Sequence, residues 1–205
     1  MNSTQVTAEQ LEYMAYIRRQ LHKIPEEGNK EYRTRSVIIN ELKAANADII
    51  SDIASTGIKA VFYGRDRENA IAFRAELDAL AIAETICAQY KSQNPGFAHA
   101  CGHDAHMAML LGLAKILGAS KASLEKSVVL LFEPDEECFG GAARMIAEGA
   151  LNNPAVQEVY AMHLMPELEK GKIGIKPGYL MAQSTEFKIT VLGKAAHGAT
   201  PEKGI

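Results

Sequence analysis

The spacing of apolar residues predicts two helices in the first quarter of the chain. Apolar side chains recur every three to four positions over Leu11–Leu21, which is the period of one helix face. Thr7 followed by Gln10 forms a capping-box pattern just before this run, and Pro25 ends it. A second pattern of the same period covers Glu31–Ala45.

Farther along, apolar runs alternate with helical patterns. Four short runs read as strands, the later two of them buried: Lys59–Tyr63, Ala70–Phe73, Ser127–Phe132 and Glu158–His163. Two further segments read as helices: Met107–Leu117, ended by Gly118, and Gly141–Glu148. Buried strands that alternate with helices predict an α/β domain with a mostly parallel central sheet and helices on both faces.

From about Gly171 the hydrophobic pattern no longer shows buried strands that alternate with helices. Glu186–Leu192 alternates like a half-exposed strand, and the chain stops at Ile205, just after a loop that contains His197. We expect a first domain over residues 1–180 and, over residues 181–205, the truncated start of a second.

Composition and charge narrow the class of protein. The 205 residues are 47% hydrophobic with a formal net charge of -3, and no basic stripe interleaved with aromatic residues predicts nucleic-acid binding. No apolar run is long enough to span a bilayer, and no signal-peptide pattern opens the chain. Three irregularly spaced cysteines form no disulfide framework, so we expect a cytoplasmic protein.

One segment concentrates groups that bind metals. His99–His106 contains three histidines, a cysteine and an aspartate within eight residues. Thiolate and imidazole bind divalent transition metals well, and a neighbouring carboxylate can orient a ligand imidazole. The segment predicts a metal site.

Further candidate ligands follow the predicted strands. Glu76 and Asp78 come after one strand, Glu136 and Glu137 after another, and His163 ends a third. Ligands of open α/β sheets gather at the carboxyl ends of the strands, so we expect these groups to converge.

The Glu136–Glu137 pair predicts two roles. In an extended segment adjacent side chains point in opposite directions, so one carboxylate would ligate a metal while the other faces bound water. A metal lowers the pKa of that water, and the free carboxylate would take its proton and later protonate a leaving amine. These are the parts needed to hydrolyse an amide.

The residues alone leave alternatives open. Glu136 and Glu137 also fit a solvated loop, and His163 fits a hydrogen-bonded core histidine. Cys101 also fits a thiol nucleophile with a nearby histidine as base. A structural zinc site is a fourth alternative, although adjacent carboxylates are unusual in closed Cys/His sites.

Taken together, the ordered motifs resemble the amidohydrolase branch of the aminoacylase and hippurate-hydrolase type of metallopeptidases. The resemblance rests on these segments: His22–Glu26, Thr56–Gly57, Arg74–Leu80, His99–His106, Glu136–Glu137, Ala161–His163 and Gly193–His197. It implies a zinc-peptidase-like catalytic domain followed by an α+β lid and dimerisation domain. It also implies hydrolysis of N-acyl amino acids or small peptide-like conjugates, in a homodimer once the lid is complete.

The same resemblance assigns roles to residues of this chain. It implies one or two divalent transition metal ions (Zn, Mn, Co or Ni), with a thiolate that bridges two of them. The metal ligands that it implies are Cys101, His103, Glu137 and His163. Glu136 takes the place of the general acid/base, and Asp78 and Asp104 those of carboxylates that orient ligands. His197 matches a lid histidine that reaches the substrate carbonyl of the partner subunit and stabilises the oxyanion.

The resemblance covers only about the first half of a typical member. Members supply one more ligand histidine from a later segment, and most of the lid also lies beyond Ile205. Glu76 stands where the family usually has aspartate, and Glu133 where glutamine is common. A catalytically incomplete fragment or remnant, which keeps the fold and a partial metal site, is therefore the alternative to an active amidohydrolase.

Overall fold

The structure, a computed structural model, describes residues 6–138, 140–181, 187–190 and 192–204. The chain separates into two compact units, Met1–Leu164 and Met165–Ile205. The helices and strands of the first unit are, in chain order, α1 (Ala8–His22), α2 (Tyr32–Ala44), β1 (Ile49–Ile53), β2 (Gly57–Phe62), β3 (Asp66–Glu76), α3 (His103–Ser120), β4 (Lys126–Glu133), α4 (Gly141–Ala147) and β5 (Ala155–Ala161). A 3₁₀ turn, Lys121–Ser123, follows α3.

The strands form one sheet in the order β1-β2-β4-β3-β5. The neighbours β4, β3 and β5 are parallel, whereas β2 is antiparallel to both β1 and β4. Four of the five strands therefore run in one direction, which confirms the mostly parallel α/β sheet.

Helices cover both faces of the sheet. On one face, Leu42 of α2 and Leu111 of α3 share a buried cluster with Phe132 of β4. On the other face, Met145 of α4 belongs to a second cluster with Val129. The alternation of Val129 and Phe132 to opposite sides follows from the two-residue period of a strand, and it gives the two-sided burial that the sequence predicts.

The N-terminal helix begins and ends where its pattern indicates. The Thr7 hydroxyl accepts from the Gln10 N–H at 3.2 Å, and the Gln10 side chain accepts from the Thr7 N–H at 2.8 Å. This reciprocal pair satisfies backbone donors that the first turn leaves free. The helix ends at His22, three residues before Pro25.

The burial predicted for the strand at Glu158–His163 is wrong. β5 covers Ala155–Ala161 and is largely exposed, with Val159 at 51% and Tyr160 at 48%. The physical reason is position: in the described sheet β5 pairs only with β3 and forms an edge. The run of apolar residues reports β propensity and does not report how many neighbours a strand has. β1 was not predicted from the hydrophobic pattern, because Ser51 and Asp52 interrupt its apolar residues.

The second unit carries little regular structure in the residues described. It contains a 3₁₀ turn at Pro201–Lys203. The predicted strand Glu186–Leu192 includes residues 186 and 191, which lie outside the described residues, and residues 187–190 form no strand. Among the helices of the described ranges, none is both long and apolar enough to span a membrane.

Gly118 does not end α3, as its sequence position suggested, because the helix continues to Ser120. Its role is a close approach between helices. A Cβ at this position would lie 1.9 Å from the carbonyl oxygen of Ala45, which caps α2. Only a residue without a side chain lets α3 pass the end of α2 here.

We predict that Gly118→Ala destabilises the protein. Alanine is ordinarily about 1 kcal/mol more favourable than glycine inside a helix, but overpacking against backbone costs about 1–3 kcal/mol. The free energy of unfolding, measured with urea, should fall in this variant. Ala119→Ser, at the exposed next position, is the control and should change it by less than about 0.5 kcal/mol. A more stable Gly118→Ala protein would contradict the close approach.

His99 is a buried histidine whose ring nitrogens lack hydrogen-bond partners in the part of the chain that the structure describes. Only 5% of it is exposed, and among the described residues neither ring nitrogen has a partner. Burial lowers the pKa of His99 from its ordinary value of 6.5 to about 4, although the nearby Asp104 carboxylate opposes the shift. The neutral ring is therefore the form that the fold accepts.

His99→Leu should flatten the acid side of the stability curve. A base whose pKa is lower in the folded chain binds fewer protons there, so the wild-type free energy of unfolding falls between about pH 6.5 and pH 4. The shift corresponds to a loss of stability on the order of 3 kcal/mol. The leucine variant should lose this part of the slope and be no less stable than wild type at pH 7, because it buries no unpaired nitrogen. Urea titrations at pH 7 and pH 4.5 measure both effects, and an unchanged slope would show that His99 is not the titrating group.

Candidate metal centre

Three parallel strands bring the candidate groups to one edge of the sheet. β3 ends at Glu76, two residues before Asp78, and β4 ends three residues before Glu136. β5 ends two residues before His163. Because β4, β3 and β5 are parallel neighbours, their carboxyl ends lie side by side. The convergence expected from the strand ends is present.

Four of the predicted ligands meet there. Ligand atoms of Cys101, His103 and Glu137 all lie within 4.8 Å of one another. Cys101 Sγ is 3.3 Å from His163 Nε2, and His103 Nε2 is 3.6 Å from Glu137 Oε1. In a tetrahedral site with metal–ligand distances of about 2.0–2.3 Å, ligand atoms are about 3.3–3.8 Å apart. The spacing is that of ligands around one cation.

The hydrogen bonding of these groups also fits a metal. Glu137 Oε1 is buried without a hydrogen-bond partner among the described residues. His103 Nε2 lies 3.9 Å from Glu136 and 3.6 Å from Glu137, beyond hydrogen-bond range. Sulfur, imidazole nitrogen and carboxylate oxygen thus face one point, a donor set suited to a divalent transition metal such as zinc.

The backbone and Asp78 fix the direction of two of these groups. Gly102 precedes α3 with φ of 89°, in the left-handed region, and places His103 at the first helical position. His103 Nδ1 donates to the carbonyl oxygen of Asp78 at 2.8 Å, which leaves Nε2 facing the cluster. The Asp78 carboxylate accepts from the Glu137 N–H at 3.0 Å. Asp78 therefore contacts two of the predicted ligands and is itself 1% exposed.

The opposite directions expected for Glu136 and Glu137 are wrong. The pair lies in a turn, not in an extended segment, because the chain reverses at Asp135, whose φ is 57°. Both carboxylates consequently face His103 Nε2. Glu136 is the more exposed of the two, with 37% of its side chain accessible against 22% for Glu137.

The crowding of carboxylates governs the proton affinities of the site. Burial, together with the Glu137 charge, raises the pKa of Glu136 against the opposing effect of Arg74. Burial and the neighbouring carboxylates raise the pKa of the Cys101 thiol to about 12. Burial alone would lower the pKa of His103, but the Asp78 and Glu76 carboxylates raise it to about 9. Each shift shows that the site favours positive charge.

Arg74 joins three carboxylates and was not singled out from the sequence. Its Nη1 donates to Glu76 at 2.6 Å, its Nε donates to Glu133, and its Nη2 lies 3.8 Å from Glu136. Burial would raise the pKa of Glu76, but His106 and Arg74 lower it to about 2. An arginine near the end of a buried strand, two residues before a glutamate, was the available signal.

The resemblance suggested that Asp104 orients a metal ligand, but its hydrogen bonds run to α1 and not to the cluster. Its Oδ2 accepts from Arg18 Nε at 3.1 Å and contacts His22 Nδ1 at 2.8 Å, both on α1. Successive helical residues point about 100° apart, so Asp104 faces α1 while His103 faces the site. His22 also contacts Glu84 at 2.7 Å.

His197 lies in the second unit. Its Nδ1 accepts from the Ala199 N–H at 3.2 Å, and its carbonyl oxygen accepts from the Thr200 hydroxyl at 3.3 Å. Its lid role stays a prediction.

Comparison with known proteins identifies related sequences. Over 192 residues the chain is 38% identical to N-acetyldiaminopimelate deacetylase of Exiguobacterium sibiricum, covering 93% of this chain and 51% of that protein. Over 188 residues it is 40% identical to N-acetyl-L-cysteine deacetylase of Bacillus subtilis, covering 92% and 45%. The chain spans about half the length of the curated relatives it matches.

A solved structure shares the fold. The crystal structure of the Bacillus subtilis YXEP protein, described as a dinuclear metal binding peptidase from the M20 family, superposes with a TM-score of 0.76 at 35% identity. The match covers 82% of this chain and 46% of that one.

The model of peptidase family M20/M25/M40 matches residues 72–202, which include every predicted site residue. This match confirms the metallopeptidase resemblance inferred from the ordered motifs. Because it covers more than half of the chain, the chain belongs to peptidase family M20/M25/M40.

Proposed function

We propose that this chain carries the catalytic metal centre of an amidohydrolase. The reaction is cleavage of the amide bond of N-acyl amino acids or small peptide-like conjugates by metal-activated water. The single observation that carries the proposal is the meeting of Cys101, His103 and Glu137 beside the carboxylate of Glu136. The names of the deacetylase relatives support the substrate class.

Four residues of the chain are the proposed metal ligands. Cys101, His103, Glu137 and His163 would hold one or two divalent ions (Zn, Mn, Co or Ni). Such an ion, when bound, lowers the pKa of water and polarises a carbonyl.

Glu136 receives the proton of the attacking water and passes it to the leaving amine. A raised pKa suits this task, because a general base works best when its pKa approaches the working pH. The exposure of Glu136 keeps it accessible to a substrate.

The remaining assignments extend beyond the first unit. We propose that residues 1–180 belong to the catalytic domain and that residues 181–205 begin a lid and dimerisation domain. In the homodimer, His197 stabilises the oxyanion at the substrate carbonyl of the partner subunit. The protein acts in the cytoplasm, on a small substrate and without nucleic acid or membrane.

A catalytically incomplete fragment or remnant is the second candidate. The observation that favours it is coverage, since the chain matches about half of each relative. A thiol hydrolase that uses Cys101 has less support. Burial and the neighbouring carboxylates raise the pKa of its thiol to about 12, whereas a nucleophilic cysteine needs a lowered pKa.

Glu136→Gln should abolish hydrolysis while leaving metal content unchanged. Glutamine keeps the size of the side chain but accepts no proton, so the rate in the intact protein that contains this sequence should fall by at least about 10²-fold. Metal content is measured by elemental analysis and turnover on N-acetyl amino acids. Glu68→Gln, exposed near the start of β3 at the other end of the strand, is the control. A near-normal rate in Glu136→Gln would refute the proton-transfer role.

Removal of the metal should separate the candidates. The 205-residue chain is treated with a chelator, then assayed on N-acetyl and N-benzoyl amino acids with added Zn, Mn, Co or Ni. Turnover that returns with metal excludes the remnant. Metal binding without turnover identifies an incomplete centre, and activity that survives the chelator but not a thiol-blocking reagent would favour the cysteine nucleophile.

A further inference from the structure

We propose that Glu76 and His106 are positioning residues that hold the His163 segment of the metal centre through the backbone N–H of Leu164. The inference rests on the proposed function, because it concerns the same centre. It adds two residues to which the ligand set gives no role.

The hydrogen bonds from Leu164 through His106 to Glu76 and Arg74 each have one possible direction. The Leu164 N–H can only donate, and it donates to His106 Nε2 at 3.1 Å. Nε2 therefore carries no proton, and the ring proton lies on Nδ1. Nδ1 donates to Glu76 Oε2 at 2.8 Å, and Glu76 Oε1 accepts from Arg74 at 2.6 Å. Glu76 is an acceptor at both oxygens.

These contacts argue against His106 as a further ligand. Glu76, His103 and His106 also form a compact group whose ligand atoms lie within 4.8 Å. Both nitrogens of His106 and both oxygens of Glu76, however, are engaged in hydrogen bonds. In contrast, Glu137 Oε1 has no partner among the described residues. Glu76 and His106 are 3% exposed and hold their neighbours in place.

His163 needs such support because its side chain is exposed. Its Nε2 faces Cys101 Sγ at 3.3 Å, and its Nδ1 donates to the carbonyl oxygen of Leu164 at 2.8 Å. Leu164 thus makes two hydrogen bonds: its carbonyl oxygen accepts from His163, and its N–H donates to His106. The two imidazole rings also meet edge to face, with centroids 4.9 Å apart. His106 therefore acts on the direction of His163 through the backbone and through ring contact.

Three variants remove different parts of this chain of hydrogen bonds. His106→Phe keeps a ring but neither hydrogen bond. His106→Asn keeps a donor for Glu76 but has no atom at the position of Nε2. Glu76→Gln replaces one of the two acceptor oxygens by an NH2 group, so Arg74 and His106 no longer have an oxygen each. Met109→Leu, which lines the same apolar cleft as His106, is the control for packing.

The measurement is Co(II) binding to the metal-free chain, followed by the visible absorption of the bound ion. Loss of a group that orients a metal ligand weakens affinity by about 10- to 100-fold. We expect that loss in all three variants, with shifted Co(II) bands and an unchanged number of ions bound. Met109→Leu should stay within about twofold of wild type, since volume-conserving apolar changes are tolerated best. Far-ultraviolet circular dichroism verifies that each variant is folded.

A double variant tests whether the two residues act through one route. Glu76→Gln combined with His106→Phe should bind Co(II) no more weakly than His106→Phe alone, because the route is already broken. Losses that multiply would overturn the proposal. So would unchanged affinity in both His106 variants, the loss of one whole bound ion, or an equal loss in Met109→Leu.

The wild-type chain separates this proposal from the proposed function. Failure of the wild-type chain to bind Co(II) would overturn both. Wild-type binding with undiminished affinity in the His106 variants would overturn only the positioning role.

Discussion

The concentration of negative charge at one edge of the sheet is the constraint on which the site depends. Five carboxylates gather where three parallel strands end: Glu76, Asp78, Glu133, Glu136 and Glu137. Arg74 offsets part of this charge. Carboxylates at partly buried positions repel one another unless cations or protons intervene. Burial, reinforced by that repulsion, raises the pKa of Glu136 and of Cys101, and attraction to the same carboxylates raises the pKa of His103 against the effect of burial.

The sequence was sufficient for the features that depend on local patterns. The capping box at Thr7, the direction of most strands and the approach of Asp78 to Glu137 follow from spacing and from the geometry of parallel strands. Local patterns could not predict which segments pack or pair with one another. Neither the edge position of β5 nor the salt bridges of Arg74 is encoded by periodicity, because each depends on which segments become neighbours. The turn at Asp135 was missed because a single left-handed residue leaves no trace in a hydrophobic pattern.

α3 connects packing far from the site with the geometry inside it. Its first residue is His103, and Gly118 lies near its other end, against the cap of α2. An 18-residue helix is about 27 Å long and nearly rigid. A displacement at the Gly118 contact would therefore reach His103 as a rotation or translation of the whole helix, not as a local adjustment.

The proton on Cys101 has a consequence for the handling of the protein. Thiolates, not thiols, react with alkylating agents and oxidants. Because the pKa of Cys101 is about 12, its metal-free form is almost entirely thiol at neutral pH. Cys87 and Cys138 are exposed. The Cys101 thiol is thus chemically shielded in the metal-free protein, so it is lost only slowly to oxidation during storage and purification.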